Sequence, residues 1–125
     1  MTLSDDLYTA LSPIVAIGGP GAPRIYRTHF KQSYTLPALT FFRVDTVFEY
    51  AHNGDNDLIH PRYQVSCWAS NNNDADTLAA TVKTTLDAWL TVGSRVALPV
   101  NQYDLTDPET GVHQIVMDFV IWTNT

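Results

Sequence analysis

Between Ala75 and Leu90 the apolar residues Leu78, Val82, Leu86, Trp89 and Leu90 recur at steps of three and four, with Ala75 and Ala79 beside them. Asp76, Thr77, Lys83, Thr84 and Asp87 fill the opposite positions. Such spacing gathers the first set on one stripe and leaves the second to solvent. It predicts an amphipathic helix of about five turns, capped from within SNNNDAD (Ser70 to Asp76) and ended by Gly93. A shorter helix is expected near the N-terminus. There Ser4 is placed to cap, Asp5 and Asp6 favour the first turn, and Leu7, Leu11, Ile14 and Val15 lie at roughly helical spacing up to Pro13 and beyond. IGGPGAP (Ile17 to Pro23) then breaks regular structure.

Elsewhere the period is two. RIYRTHF (Arg24 to Phe30) reads as a strand, and LPALTFFRVDTVFEY (Leu36 to Tyr50) as a longer one. In the latter, alternation places Phe42, Val44, Thr46 and Phe48 on one face and Phe41, Arg43, Asp45, Val47 and Glu49 on the other. AHNGDND (Ala51 to Asp57) has the Asn-Gly pair of a hairpin turn. The return strand spans Leu58 to Ala69, with Pro61 implying an edge or a bulge. Two strands close the chain, RVALPVNQYDL and GVHQIVMDFVIW, joined by the turn TDPETG (Thr106 to Gly111). In the last, Ile115, Met117, Phe119 and Ile121 alternate with Gln114, Val116, Asp118, Val120 and Trp122. The order α-β-β-β-α-β-β, without repeat or linker, predicts one α+β domain over residues 1–125, an antiparallel sheet with its helices packed on one face.

Composition changes this picture little. At 125 residues with 45% apolar content, the chain is long enough to bury a sizeable core. Charge is more telling: 13 acidic residues against 7 basic give net −6, which argues against duplex DNA as a primary partner, since affinity there comes from Lys and Arg on phosphates. A single cysteine forms no internal disulfide. The first residues carry acids where a secretory signal needs bases, and no apolar run reaches the ~20 residues of a membrane span, so synthesis in the cytoplasm of the producing cell is expected.

Candidate chemistry is sparse. Cys67 ends a strand just ahead of a helix, a place where nucleophiles occur. Yet Tyr63 and Val65 share its face, and His60 lies seven residues back along an extended strand, more than ~20 Å away. Cys67 is therefore read as packing, with His113 the one histidine able to approach across the sheet. His29, His52, His60 and His113 share no metal-ligand spacing, although His52 and His60 bracket the hairpin and could face each other there. NGDND lacks the continuation of a calcium loop, and the Gly-rich segment lacks the Lys-Ser/Thr of a phosphate loop. Asp118 sits mid-strand between Val116 and Val120, so it needs solvent or a cation such as Arg43 or Arg62. No cofactor, metal site or enzymatic activity is expected. Apolar residues do occur on both faces of the long strands, as in Phe41/Phe42, Cys67/Trp68 and Ile121/Trp122. A two-layer domain has one core face per sheet, so the surplus implies a surface for self-assembly or a partner.

The chain resembles the tail-completion proteins of long-tailed phages, the tail terminator and head–tail joining components. The resemblance is carried by the short first helix, the RIY entering the first strand, LPALTFFRV, the strand RYQVSCWAS running into an Ala-rich helix, and the close YDLTDPETGVHQIVMDFVIW. It runs from about Leu7 to Trp122. The long loop AIGGPGAPRIY and the acidic tip of AHNGDNDLIHPRY depart from the simplest family form. The resemblance implies a structural virion protein of the tail or neck that caps the head-proximal end of the tail tube as a ring of identical subunits, six in number. Its implied partners are further copies of itself, the tail tube protein and the head connector or completion protein. It implies no membrane and no specific nucleic acid, DNA passing through the ring lumen without adhering to an acidic protein. Exposed loop tips supply the candidate contact residues: His52, Asn53, Asp55 and Asp57 in the hairpin, Asp107 and Glu109 in the last turn. The competing readings are another neck or baseplate component, and a small-ligand-binding α+β domain or enzyme using Cys67 or His113.

Overall fold

A computed structural model describes residues 3–14, 17–19, 23–27, 35–48, 58–88, 96–106 and 111–124. Its elements are helix α1 (Leu3–Leu11), strands β1 (Ile25–Arg27), β2 (Ala38–Phe48) and β3 (Leu58–Ala69), helix α2 (Asn72–Asp87), and strands β4 (Val96–Thr106) and β5 (His113–Asn124). This is the expected α+β order. The strands form one five-stranded sheet, β1-β2-β3-β5-β4.

Three of the four pairings are antiparallel, but β1 runs parallel to β2, with Ile25 opposite Leu39 and Arg27 opposite Phe41. The expected antiparallel sheet is present, with parallel pairing at that one edge. A tight hairpin forces antiparallel pairing, and β1 and β2, separated by ten residues, are not joined by one. Backbone bonds secure the strand at its start: Arg24 N donates to Ile17 O at 2.6 Å, and Leu39 N donates to Arg24 O at 3.0 Å.

Both helices pack on one side. α2 follows its stripe: Ala75, Leu78, Ala79, Val82 and Leu86 are buried, and Lys83 reaches Asp87 at 3.0 Å on the outward face. Asn71 supplies the cap, its side chain accepting from Asp74 N at 2.9 Å, while its own amide donates to the Asp74 carboxylate at 3.0 Å. One orphan backbone N–H is thus satisfied, and a side-chain to side-chain bond steadies the cap. The expected final turn, with Trp89, Leu90 and Gly93, lies outside the described residues. From the sheet come Leu39, Phe41, Tyr63, Val65, Cys67, Ile115, Met117, Phe119 and Ile121, joined by Leu7 and Leu11 of α1 in one cluster. Each large aliphatic or aromatic side chain removed from water here contributes about 1.5–3 kcal/mol.

Two details depart from simple alternation. Ser4 lies inside α1, where its hydroxyl and the Tyr63 hydroxyl share a buried hydrogen bond of 2.7 Å. Its role is to satisfy a core phenol, not to cap. Pro61 lies in the sheet's centre, since β3 has β2 on one side and β5 on the other. The β3–β5 ladder skips Pro61 between Ile59↔Thr123 and Arg62↔Val120 while keeping its register, as a residue without an N–H requires. There His60 stacks on Trp122, with ring centroids 4.2 Å apart and planes 23° apart.

Bulges at Arg43/Asp45 in β2 and Pro99/Asn101 in β4 shift the register by one residue. A bulge sets two residues against one, so alternation restarts on the other face. Asp45 therefore stands opposite Arg62, in place of sharing a face with Phe41.

Candidate functional site

The six residues singled out as contact points, His52, Asn53, Asp55, Asp57, Asp107 and Glu109, lie outside the described residues. The strands that carry their loops are described, and they place those loops at opposite ends of the sheet. Phe48 pairs with Ile59 and Leu58 with Asn124, so the β2–β3 hairpin leaves from one end. Thr106 and Ala69 both pair with His113, so the β4–β5 turn leaves from the other. Gly111 enters β5 with φ +73, left-handed backbone that glycine adopts freely. The Thr106 hydroxyl bonds His113 Nδ1 at 3.1 Å across the same end.

Cys67 belongs to the interior. It is fully buried between strands, and burial pushes its thiol up to about 12. A nucleophile needs the opposite, a base or a positive charge that favours the thiolate. Register sets His113 opposite Ala69, two positions along from Cys67. The expected His52–His60 juxtaposition lies outside the described residues at His52, and His60 is engaged with Trp122. Among the described residues no group of three His, Cys, Asp or Glu is placed to hold a metal. An open groove of about 390 Å³ along α2 is lined by Thr77, Ala80, Thr81, Thr84 and Thr85. Thr81 and Thr85 spend their hydroxyls on the helix, bonding Thr77 O and Thr81 O.

What the structure does build is a second sheet face, turned away from the helices. Among the described residues, no helix packs over it. Short polar ties cross it from strand to strand: Trp68 Nε1 donates to Thr40 Oγ1 at 2.9 Å, Gln114 Nε2 donates to Ser66 Oγ at 3.0 Å, and Arg62 pairs with Asp118 at 3.0 Å. Asp118 thus takes Arg62 of the two cations considered; Arg43, opposite Tyr63, belongs to the helix side. Between these ties lie apolar groups, with Val116 buried and Phe42, Val120 and Trp122 half-buried. A recess of about 270 Å³ at one end is lined by Trp68, Leu105, Thr106, Val112 and Gln114. It offers two aliphatic walls and an indole but no general base.

β4 is the most exposed element of this face. Beyond Ala97 every residue of the strand is exposed, on both faces. Leu98 is 44% exposed, Val100 52%, Tyr103 42% and Leu105 49%, leaving four of the chain's large apolar side chains on one edge strand. By register Leu98, Tyr103 and Leu105 stand opposite Val120, Val116 and Gln114, on the face away from the helices. Sequence reading recognised apolar surplus but not its concentration here. Leu98 and Tyr103 are five apart, so simple alternation separates them, and only the bulge at Val100 brings them to one side.

A sequence model of the family described as Tail completion protein gp17 matches residues 5–124, nearly the whole chain. The chain belongs to that family. It is a structural tail protein, placed in the tail or neck of the virion. Among curated proteins nothing matches it. Among solved structures, a chain of the "Virion of native gene transfer agent (GTA) particle" is similar, with TM-score 0.68 over 98% of this chain and 95% of that one, at 11% identity. At that identity the likeness is one of fold.

Proposed function

We propose that this tail completion protein closes the head-proximal end of the tail tube and presents a docking surface to the head connector, acting as a ring of six copies. The observation that carries the reading is the sheet face that no helix covers among the described residues, with its exposed strand β4. A lone domain gains nothing by leaving Leu98, Val100, Tyr103 and Leu105 in water, whereas a subunit that buries them on assembly gains about 25 cal/mol for each Å² removed from solvent. The chemistry agrees. Cys67 is buried and its thiol pushed up, and we read the protein as non-enzymatic, one domain over residues 1–125.

A cap between tube and connector has neighbours on two sides along the particle axis. The two loops that leave opposite ends of the sheet suit that arrangement, with His52, Asn53, Asp55 and Asp57 meeting one neighbour and Asp107 and Glu109 the other. The net charge of −6 lets DNA traverse the lumen without adhering.

Disabling the gene in a producing cell tests the role. Unjoined filled heads beside headless tubes are the expected products. Normal yields of joined particles would remove the reading.

A further inference from the structure

We propose that the β4 edge of one copy docks against the β1–β2 edge of the next, a head-to-tail contact that carries the sheet from subunit to subunit. This rests on the ring reading above and names the surfaces it uses. A closed ring needs two different patches on each subunit, one for each neighbour. The two edges of this sheet differ in the way such a contact requires.

Among the described residues β4 pairs with β5 alone, so its other edge is a free strand edge, with the Gln102 amide held by the Asn101 side chain at 3.0 Å. Soluble proteins guard such an edge with charge, commonly lysine. β4 instead carries four exposed apolar side chains and a single charge, Asp104, which is exposed and unpaired among the described residues. Pro99 and the adjoining bulge interrupt the edge near its start, so side chains and the stretch after Asn101 make the contact.

The opposite edge carries the complement. Arg27 of β1 and Arg43 of β2 are exposed and form no ion pair among the described residues, with Val44 47% exposed at the bulge between Arg43 and Asp45. Asp45, also exposed, faces Arg62 from the other side of the sheet, so the arginines dominate the helix side of this edge.

Register aligns the two edges. One cross-strand row runs Gln102, Met117, Val65, Phe41, Arg27, and the next runs Asp104, Ile115, Cys67, Leu39, Ile25. Arg27 and Asp104 thus lie on the same side of the sheet, one row apart, a step of about 7 Å. β4 and β1 run in opposite senses, so a copy set beside another in the same orientation brings them together as an antiparallel pair.

The test is assembly of the full chain, followed by native mass spectrometry and sedimentation. Asp104→Arg and Arg27→Asp each weaken ring formation at least about tenfold, the effect of setting like charges face to face. Together they restore it to within about threefold of wild type. Leu105→Asp abolishes it, and should that variant misfold, the exposed charge pair carries the test alone. If wild type assembles and the single reversals assemble equally well, or the pair gives no recovery, these edges are not the contact while the ring reading stands. If wild type stays monomeric both in solution and on tail tubes, ring and contact fall together.

Discussion

Tyr63 shows how tightly polar and apolar demands are joined in this core. Its ring is fully buried against Phe41, with centroids 6.5 Å apart, yet its hydroxyl must be satisfied, and Ser4 of α1 is the partner. A buried hydroxyl left alone costs about 1–3 kcal/mol. Tyr63→Phe is therefore expected to lose that much in urea denaturation, by orphaning the Ser4 hydroxyl. Adding Ser4→Ala should recover part of the loss, since removing both partners leaves nothing unsatisfied. Strictly additive losses would contradict the pairing. Cys67 makes a second residue-scale prediction. Its thiol is pushed from 9.0 to about 12 in the folded protein. The folded state therefore holds a proton that the unfolded state releases above pH 9, and stability falls as pH rises from 9 toward 12, at most about 1.4 kcal/mol per unit. Below pH 9 the residue has no effect. Cys67→Ala should flatten that alkaline slope relative to wild type in denaturation series, and an unchanged slope would show a thiol open to solvent. The packing role of Cys67 was legible from its neighbours at i−2 and i−4. The partner of Ser4 was not, because nothing local links residues 59 apart in sequence.

Elements were legible where one period ran unbroken. Among the described residues, the stripe of α2 and the alternation of β3 and β5 each bury the residues expected of them. Alternation failed where a bulge resets it, as at Val44 and Val100, since a single extra residue leaves no mark in composition. Parallel pairing of β1 was likewise hidden, because partner choice depends on where the intervening chain goes and not on the strand itself. The capping role within SNNNDAD narrowed to Asn71 only with the geometry of its bonds to Asp74. Asn71→Ala removes that cap and is expected to cost about 1 kcal/mol, lowering Tm by roughly 3–6 °C in a thermal scan. A change under about 1 °C would mean the packed stripe alone fixes the helix start.

At the scale of the whole molecule, the arrangement is a sheet with one face devoted to a core and the other, which no helix covers among the described residues, assigned to the proposed contact. The helix side holds the buried cluster. Cross-strand polar ties on the second face, Trp68–Thr40, Gln114–Ser66 and Arg62–Asp118, hold those side chains in place. A surface preordered in this way loses less conformational freedom on binding. The apolar surplus was half-legible: apolar residues on both strand faces were visible in the sequence, but the edge on which the exposed ones gather emerged only from the register of β4. The most direct test adds purified protein to isolated headless tail tubes and locates it by negative-stain imaging. Density capping one end of each tube, and only that end, is the predicted result. Binding along the shaft, at both ends alike or nowhere would contradict the account.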